Sequence, residues 1–284
     1  MSQPDMGEQQ GQLHHYLDLW QLTDPKPLTQ TFSSYLYTVI FRNERVVLKL
    51  LKPAGWEEKT GAAALRHFDG QGAVRLLDEA DGAYLLEYAS GENLVPFTHS
   101  GNDAQATAII GEVLNQLHNA PPPPLTSTLD PLKRWFRELF NQAEKDRNSG
   151  LNSILVRAAA VAETVLDDPQ DVRVLHGDIH HENIRYHPQR GWLAFDPKGL
   201  VGERTYDTAN TFCNPMNMPE LTENMDRILQ TAEILAAKTK MHPKRILTFV
   251  FMYSALSASW FISDGQHPAH EIRIAELVEP HILR

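Results

Sequence analysis

Three residues in the second half of the chain, Asp178, Asn183 and Asp196, have the types and spacing that phosphoryl transfer uses. Asp178 and Asn183 stand in Val174-Leu175-His176-Gly177-Asp178-Ile179-His180-His181-Glu182-Asn183-Ile184, apolar at both ends and polar between, the pattern of a catalytic loop held by two buried anchors. Asp196 comes thirteen residues after Asn183, behind the apolar run Trp192–Phe195 and before Pro197-Lys198-Gly199. One carboxylate beside an acceptor hydroxyl, with an amide oxygen and a second carboxylate holding a metal against the phosphates, is a working set for moving a γ-phosphoryl group. On this reading Asp178 is the catalytic base or acceptor-orienting group. Asn183 and Asp196 are ligands of Mg²⁺, a hard cation that takes oxygen donors.

The elements that must position these residues fall into two kinds. From Phe32 to Leu51 the residues are β-branched and aromatic, and Arg42-Asn43-Glu44-Arg45 interrupts them as a hairpin turn between two strands. Glu57–Phe68 is Ala-rich and reads as a helix, and Val74–Leu77 and Tyr84–Tyr88 read as short strands around Asp81-Gly82. A short amphipathic helix over Gly11–Gln21, with Leu13, Tyr16, Leu17 and Trp20 on one face, precedes them as a packing element. After Ser90-Gly91 the character turns helical: Asp103–Asn119, Leu132–Ala143, Ser153–Leu166, Leu221–Lys238, Lys244–Ser263 and His270–Leu277 carry helical periodicity, with Pro121–Pro124 as a stiff spacer. Val172–Leu175 and Trp192–Phe195 are strands flanking the polar loop. The apolar stretch Ile246–Ile262 is shorter than the roughly 20 residues a bilayer needs and carries Thr248, Ser254, Ser257 and Ser259, so it reads as a buried core helix.

The loop spacing resembles the H-x-D-x-x-x-x-N of the kinase superfamily. Together with Gly191-Trp192-Leu193-Ala194-Phe195-Asp196-Pro197-Lys198-Gly199-Leu200 it resembles more closely the aminoglycoside/hydroxyurea resistance kinases, in which D-P-K-G replaces the protein-kinase D-F-G. That resemblance implies an α+β, bilobal protein-kinase-like fold. Residues 1–88 would form a small β-rich nucleotide-binding lobe with one inserted helix, and 89–284 a larger, mainly helical catalytic and acceptor-binding lobe. It also implies a phosphoryl donor, ATP or GTP, and an aminocyclitol such as streptomycin, or hydroxyurea, as acceptor. Lys49, in Val46-Val47-Leu48-Lys49-Leu50, takes the place of the strand lysine on the α/β-phosphates, with Lys52 as its competitor. Ser33 and Ser34, in a turn without glycine, would cap the phosphates, and Glu87-Tyr88-Ala89 would form the hinge whose backbone binds the base. Tyr206-Asp207 resembles a family pair whose aspartate braces the catalytic loop. One departure stands out: Gly61 occupies the place of the acid in E-x-x-x-L-R that pairs with the lysine, leaving Glu57 or Glu58 as substitutes.

A chain of 284 residues with 42% hydrophobic content can bury two lobes. A net charge of -10, with no Lys/Arg block, points away from nucleic acid and anionic membranes and leaves room for a cationic small-molecule acceptor, with Glu203, Asp207 and Asp264 as acids to cradle it. A single cysteine, Cys213, and no apolar stretch near the N-terminus fit a reducing cytoplasm. Two other classes stay open at this point. His176, His180, His181 and His187 with Asp178 and Glu182 could form the metal cluster of a hydrolase, and the missing acid at Gly61 could mark a catalytically silent binding module. No A-P-E follows Asp196, which sets a protein kinase aside. Trp56, Trp135 and Trp260 read as core aromatics.

Overall fold

Alternation along one strand decides where Lys49 points. The computed structural model of the chain describes residues 6–53, 59–123 and 128–283. Its N-terminal lobe is a five-stranded antiparallel sheet of β1 (Thr23–Gln30), β2 (Ser34–Phe41), β3 (Glu44–Leu51), β4 (Leu76–Ala80) and β5 (Ala83–Glu87), in the order β1-β2-β3-β5-β4. Successive side chains on β3 leave opposite faces. Val46, Leu48 and Leu50 enter a cluster with Tyr16, Tyr37 and Leu85, which α1 (Met6–Leu19) covers. Val47 and Leu51, which share the face of Lys49, join the larger core instead. Lys49 is therefore carried to the side of the sheet that faces the second lobe, and it is buried there.

Strand β1 was not legible in the sequence. It contains Pro25 and Pro27, and every residue in it is exposed. Proline lacks the N–H that a central strand must donate, but an edge strand has one side unpaired, and β1 is the edge. The helix expected over Glu57–Phe68 is present as α2 (Lys59–Phe68), with Trp56, Glu57 and Glu58 lying outside the described residues.

The second lobe is helical around two small sheets. Its helices are α3 (Val95–His99), α4 (Asp103–His118), α5 (Leu132–Trp135), α6 (Arg137–Asn148), α7 (Ile154–Asp167), α8 (Pro219–Thr222), α9 (Met225–Thr239), α10 (Pro243–Ser263) and α11 (Ala269–Val278). Strands β6 (Asp130–Pro131), β7 (Val172–Leu175) and β10 (Leu200–Glu203) form one sheet, and β8 (Ile184–His187) with β9 (Gly191–Ala194) form a hairpin. Helix α10 is long and apolar enough to cross a membrane by length and composition. Its run from Ile246 to Ser259 is instead buried without exception, and it packs on α6, α7, α9, α11 and the 3-10 run Arg204–Cys213. It is the central strut of the lobe, as its serines and threonines implied.

Glu203 does not cradle an acceptor. It is 1% exposed, and its carboxylate accepts from Nε and Nη2 of Arg245 (2.9 and 2.6 Å), the Thr205 hydroxyl (2.8 Å) and the Gln170 N–H (2.9 Å). The strand end places it inward, where an ionised acid is held only by such a set of donors. Asp264 is exposed at the C-terminal end of α10. We predict that Glu203→Ala destabilises the fold by about 3 kcal/mol, since the largely covered Arg245 would lose its carboxylate and the Gln170 N–H and Thr205 hydroxyl their acceptor. Chemical denaturation checks this, and a wild-type unfolding midpoint would return Glu203 to the acceptor candidates.

Candidate active site

The two-stranded hairpin explains the thirteen-residue spacing. Ile184 pairs with Ala194, and the Phe195 N–H donates to the Asn183 carbonyl (3.0 Å), so the residues flanking the hairpin, Asn183 and Asp196, return side by side. The hairpin is fastened to the first lobe in turn. Ala194 N–H donates to Gly72 O (2.8 Å) and Ala194 O accepts from Val74 N–H (2.9 Å), while the segment after β5 is joined through Gly91 N–H to Tyr186 O (2.8 Å) and Leu94 N–H to His181 O (3.0 Å). Asp196 itself has φ +62°, a left-handed conformation that a non-glycine residue adopts at a cost of order 1–3 kcal/mol and that recurs at functional sites. Its carboxylate meets Lys49 Nζ, 147 residues away in sequence. Burial works against the charge on Asp196, but the ammonium groups of Lys49 and Lys198 overcome it and hold the carboxyl below the usual range.

Asp178 is fixed from three sides. Asn210 Nδ2 donates to its Oδ1 (2.8 Å), and Asn183 Nδ2 donates to its backbone carbonyl (2.9 Å) and to Oδ2 (3.3 Å). Lys198 Nζ lies 3.4 Å from Oδ2. Because Asn183 spends its amide N–H groups on Asp178, its amide oxygen is left for another partner. That oxygen and the Asp196 carboxylate are the hard donors that Mg²⁺ takes, so the residues present fit the metal.

Below the loop sits a buried carboxylate. Asp207, 2% exposed, accepts the N–H groups of His176 (3.0 Å) and Gly177 (2.7 Å) and lies 2.9 Å from His118 Nε2. This is the brace expected of it, with His118 at the end of α4 as a partner the sequence did not announce. His176 is fully buried, and its ring is bonded at both nitrogens: Nδ1 accepts the Asp178 N–H (3.3 Å), so Nε2 donates to Phe195 O (3.0 Å). Burial pushes this imidazole below its usual range despite the nearby Asp207 and Asp178 carboxylates, so the ring is neutral.

A second buried chain supports Asn210. Asn214 Nδ2 donates to Asn210 O (3.0 Å) and Oδ1 (2.8 Å), and Arg227 donates to the carbonyls of Phe212 (3.2 Å) and Asn214 (3.0 Å) while pairing with both oxygens of Asp103 (3.0 and 3.1 Å). Burial opposes the charge of Asp103, but the nearby His181 ring and the Arg227 guanidinium hold its carboxyl well below the ordinary carboxylate range. His181, 3.7 Å from Asp103, is itself pushed down by burial.

Between the lobes lies a cleft of about 440 Å³, lined by Leu36, Val47, Val74, Leu86 and Phe195 together with Glu87, Tyr88, Ala89 and Asn183. Tyr88 and Ala89 are thus placed as a hinge would be. The Glu87 carboxylate is occupied elsewhere, by Arg190 and by the Arg75 N–H (3.0 Å), so it anchors the hinge. Ser34, the first residue of β2, is fully buried on the strand face it shares with Leu36. Ser33 stays half-buried, its carbonyl accepting the Lys52 N–H (2.8 Å). Lys52 is engaged with the Thr31 carbonyl and the face of Tyr35, away from Asp196.

Gly61 also finds its reason. A Cβ built there collides with the Pro197 carbonyl, and the Thr60 hydroxyl donates to Lys198 O (2.6 Å). Helix α2 lies directly on the Asp196–Gly199 turn, leaving no room for an acid at that position. The histidine cluster does not assemble: among the described residues no three His, Cys, Asp or Glu side chains form a metal-binding group. His176 braces the loop, His181 faces Asp103, and His187 lies 3.8 Å from Glu87. Trp135 and Trp260 stack edge to face at 5.6 Å against the core.

In the unfolded chain His176 and His181 titrate near 6.5, above their folded values, so acidification protonates the unfolded state first. Their contribution is complete above about pH 7 and is lost as pH falls below about 6.5, by at most ~1.4 kcal/mol per pH unit for each ring. Urea unfolding at pH 7.5, 6.5 and 5.5 should show a falling midpoint, and a flat one would contradict the buried neutral assignment.

Comparison with known proteins agrees with this geometry. A family model for aminoglycoside/hydroxyurea antibiotic resistance kinases matches residues 19–265. The chain is 38% identical over 256 residues to a streptomycin 3''-kinase of Klebsiella pneumoniae, covering 88% of this chain and 92% of that protein. It is 29% identical over 259 residues to a streptomycin 6-kinase of Streptomyces griseus, covering 88% and 81%. The solved structure of a thermostable mutant of aminoglycoside phosphotransferase APH(4)-Ia, in a ternary complex with ADP and hygromycin B, shares the fold at a TM-score of 0.61 and 13% identity, covering 94% of this chain and 97% of that one. A protein-kinase-like fold, an interlobe cleft and the match over most of the sequence lead to one conclusion: the chain belongs to the aminoglycoside/hydroxyurea antibiotic resistance kinase family.

Proposed function

We propose that this kinase transfers the γ-phosphoryl group of ATP or GTP to a hydroxyl of streptomycin or a closely similar aminoglycoside. The observation that carries the reading is the convergence of Lys49 with Asp196, and of Asn183 with Asp178, beside a cleft that Asn183 and Phe195 help to line. Streptomycin is favoured as acceptor by the names of the two relatives, and the hydroxyl named by the 38%-identical one, the 3'' position, is the first to test. We take residues 1–88 as the nucleotide lobe and 89–284 as the catalytic and acceptor lobe, at work in a reducing cytoplasm.

In this mechanism the base lies against Leu36, Val47, Leu86 and Phe195, with its polar edge on the backbone at Tyr88 and Ala89. Lys49 orients the triphosphate, and Ser33 with the backbone of its turn covers the phosphates. Asn183 and Asp196 would hold magnesium, which supplies charge neutralisation across the β- and γ-phosphates when bound. Asp178, held by Asn210 and Asn183, accepts the hydrogen bond of the acceptor hydroxyl and aligns it for in-line attack. The aminoglycoside's cations fit the chain's net charge of -10.

Purified protein with magnesium and ATP or GTP should consume nucleotide in the presence of streptomycin, and Asp178→Ala should lower turnover by at least about 10³-fold while folding normally. Product mapping should place the phosphate on a ring hydroxyl. Wild-type turnover by Asp178→Ala would remove this assignment. Turnover with hydroxyurea but not streptomycin would move the acceptor to the other chemistry in the family's description.

A further inference from the structure

The Asp196–Gly199 turn contains a second lysine that the mechanism above does not use. Lys198 Nζ lies 3.4 Å from Oδ2 of Asp178 and 4.0 Å from Oδ2 of Asp196. It therefore spans the carboxylate that addresses the acceptor and the carboxylate that faces the donor. Nothing about the position is left loose. The Lys198 N–H donates to His176 O (2.7 Å), its carbonyl accepts the Thr60 hydroxyl (2.6 Å), and Gly199, at φ +72°, turns the chain away immediately afterwards. Gly177 leaves space for the side chain, since a Cβ there would come within 3.2 Å of Lys198 Cβ. The catalytic loop, helix α2 and the Asp-Pro-Lys-Gly turn thus cooperate to hold one ammonium over the gap between two aspartates.

Lys198 and Asp178 are partly exposed, at 31% and 23%, and a pair so open to solvent contributes little to stability, about 0–1 kcal/mol, so support of the fold is a poor reason for such fixation. The chemistry gives a better one. In transfer, the acceptor oxygen forms its bond to the γ-phosphorus as the bond from that phosphorus to the β–γ bridging oxygen breaks. The diphosphate keeps the electron pair, and the acceptor proton passes to the Asp178 carboxylate. Between the two oxygens the phosphoryl group is loose and planar, its negative charge spread over three equatorial oxygens. It must cross the gap between Asp178 and Asp196, and a donor already fixed there stabilises it without reorganisation. Building on the kinase reading above, we propose that Lys198 is a further catalytic residue, whose ammonium binds the equatorial oxygens of the phosphoryl group in flight. Lys49 and Lys198 then divide the work: Lys49 orients the donor, and Lys198 stabilises what is transferred.

The test compares wild type, Lys198→Ala, Lys198→Arg and Asp178→Ala with magnesium ATP and streptomycin. We expect kcat of Lys198→Ala to fall by about 10²–10³-fold, as for loss of one preorganised donor, with KM for both substrates within about threefold. Lys198→Arg should recover part of the rate. Calorimetry with magnesium ADP, alone and with aluminium fluoride as a planar phosphoryl mimic, gives a readout independent of the acceptor. Lys198→Ala should bind magnesium ADP as wild type does and lose most of the tightening that fluoride brings. Unchanged kcat, or a loss confined to nucleotide KM, would overturn the proposal. So would a fluoride complex as tight as wild type's. Equal turnover by wild type and Asp178→Ala would overturn the kinase reading itself, and this proposal with it.

Discussion

Two charged groups from different lobes, Lys49 and Asp196, must meet in a crevice that burial makes hostile to either alone. Lys49 is nearly buried, and Asp196 keeps its charge because Lys49 and Lys198 outweigh the cost of burial. Each element nearby answers to that requirement. The alternation of β3 sends Lys49 toward the second lobe, and the β8–β9 hairpin returns Asp196 to Asn183. A left-handed residue at the end of the hairpin aims the carboxylate, and α2 presses on the turn so closely that Gly61 cannot carry a side chain. The missing helix acid is therefore explained by contact, and a silent binding module need not be invoked to account for it.

Around this crossing the protein uses buried polar chains rather than apolar packing to set positions. Asp207 collects the N–H groups at the start of the catalytic loop, and the sequence Asp103, Arg227, Asn214, Asn210 leads step by step to Asp178. Such networks are costly if any member is left unpaired, and for the same reason they permit few alternative arrangements. The apolar core, centred on α10, supplies the stability against which these polar chains are held.

The proximity of Asp178, Asn183 and Asp196 was legible because they lie in a short span, joined by one loop and one hairpin, so their spacing carries their geometry. The longer connections were not. Asn210 reaches Asp178 across 32 residues, and His118 reaches Asp207 across 89, and neither distance leaves a pattern in a single sequence. Strand β1 was missed because its prolines argue against a strand unless its place at the edge is known. Glu203 was read as an acid that could meet the acceptor, and tertiary context turned it inward onto Arg245. The four histidines near the loop looked like a metal cluster in sequence. In space they turn toward different groups: His176 to Phe195, His180 toward Asp178, His181 toward Asp103 and His187 toward Glu87.

The most direct measurement of the central claim is a double-mutant cycle on magnesium nucleotide binding, comparing wild type, Lys49→Ala, Asp196→Ala and the double variant by calorimetry. If Lys49 and Asp196 form one site, each single change weakens binding by at least about tenfold, and the double change costs clearly less than the two losses combined. Nucleotide bound as tightly by both single variants as by wild type would contradict the account.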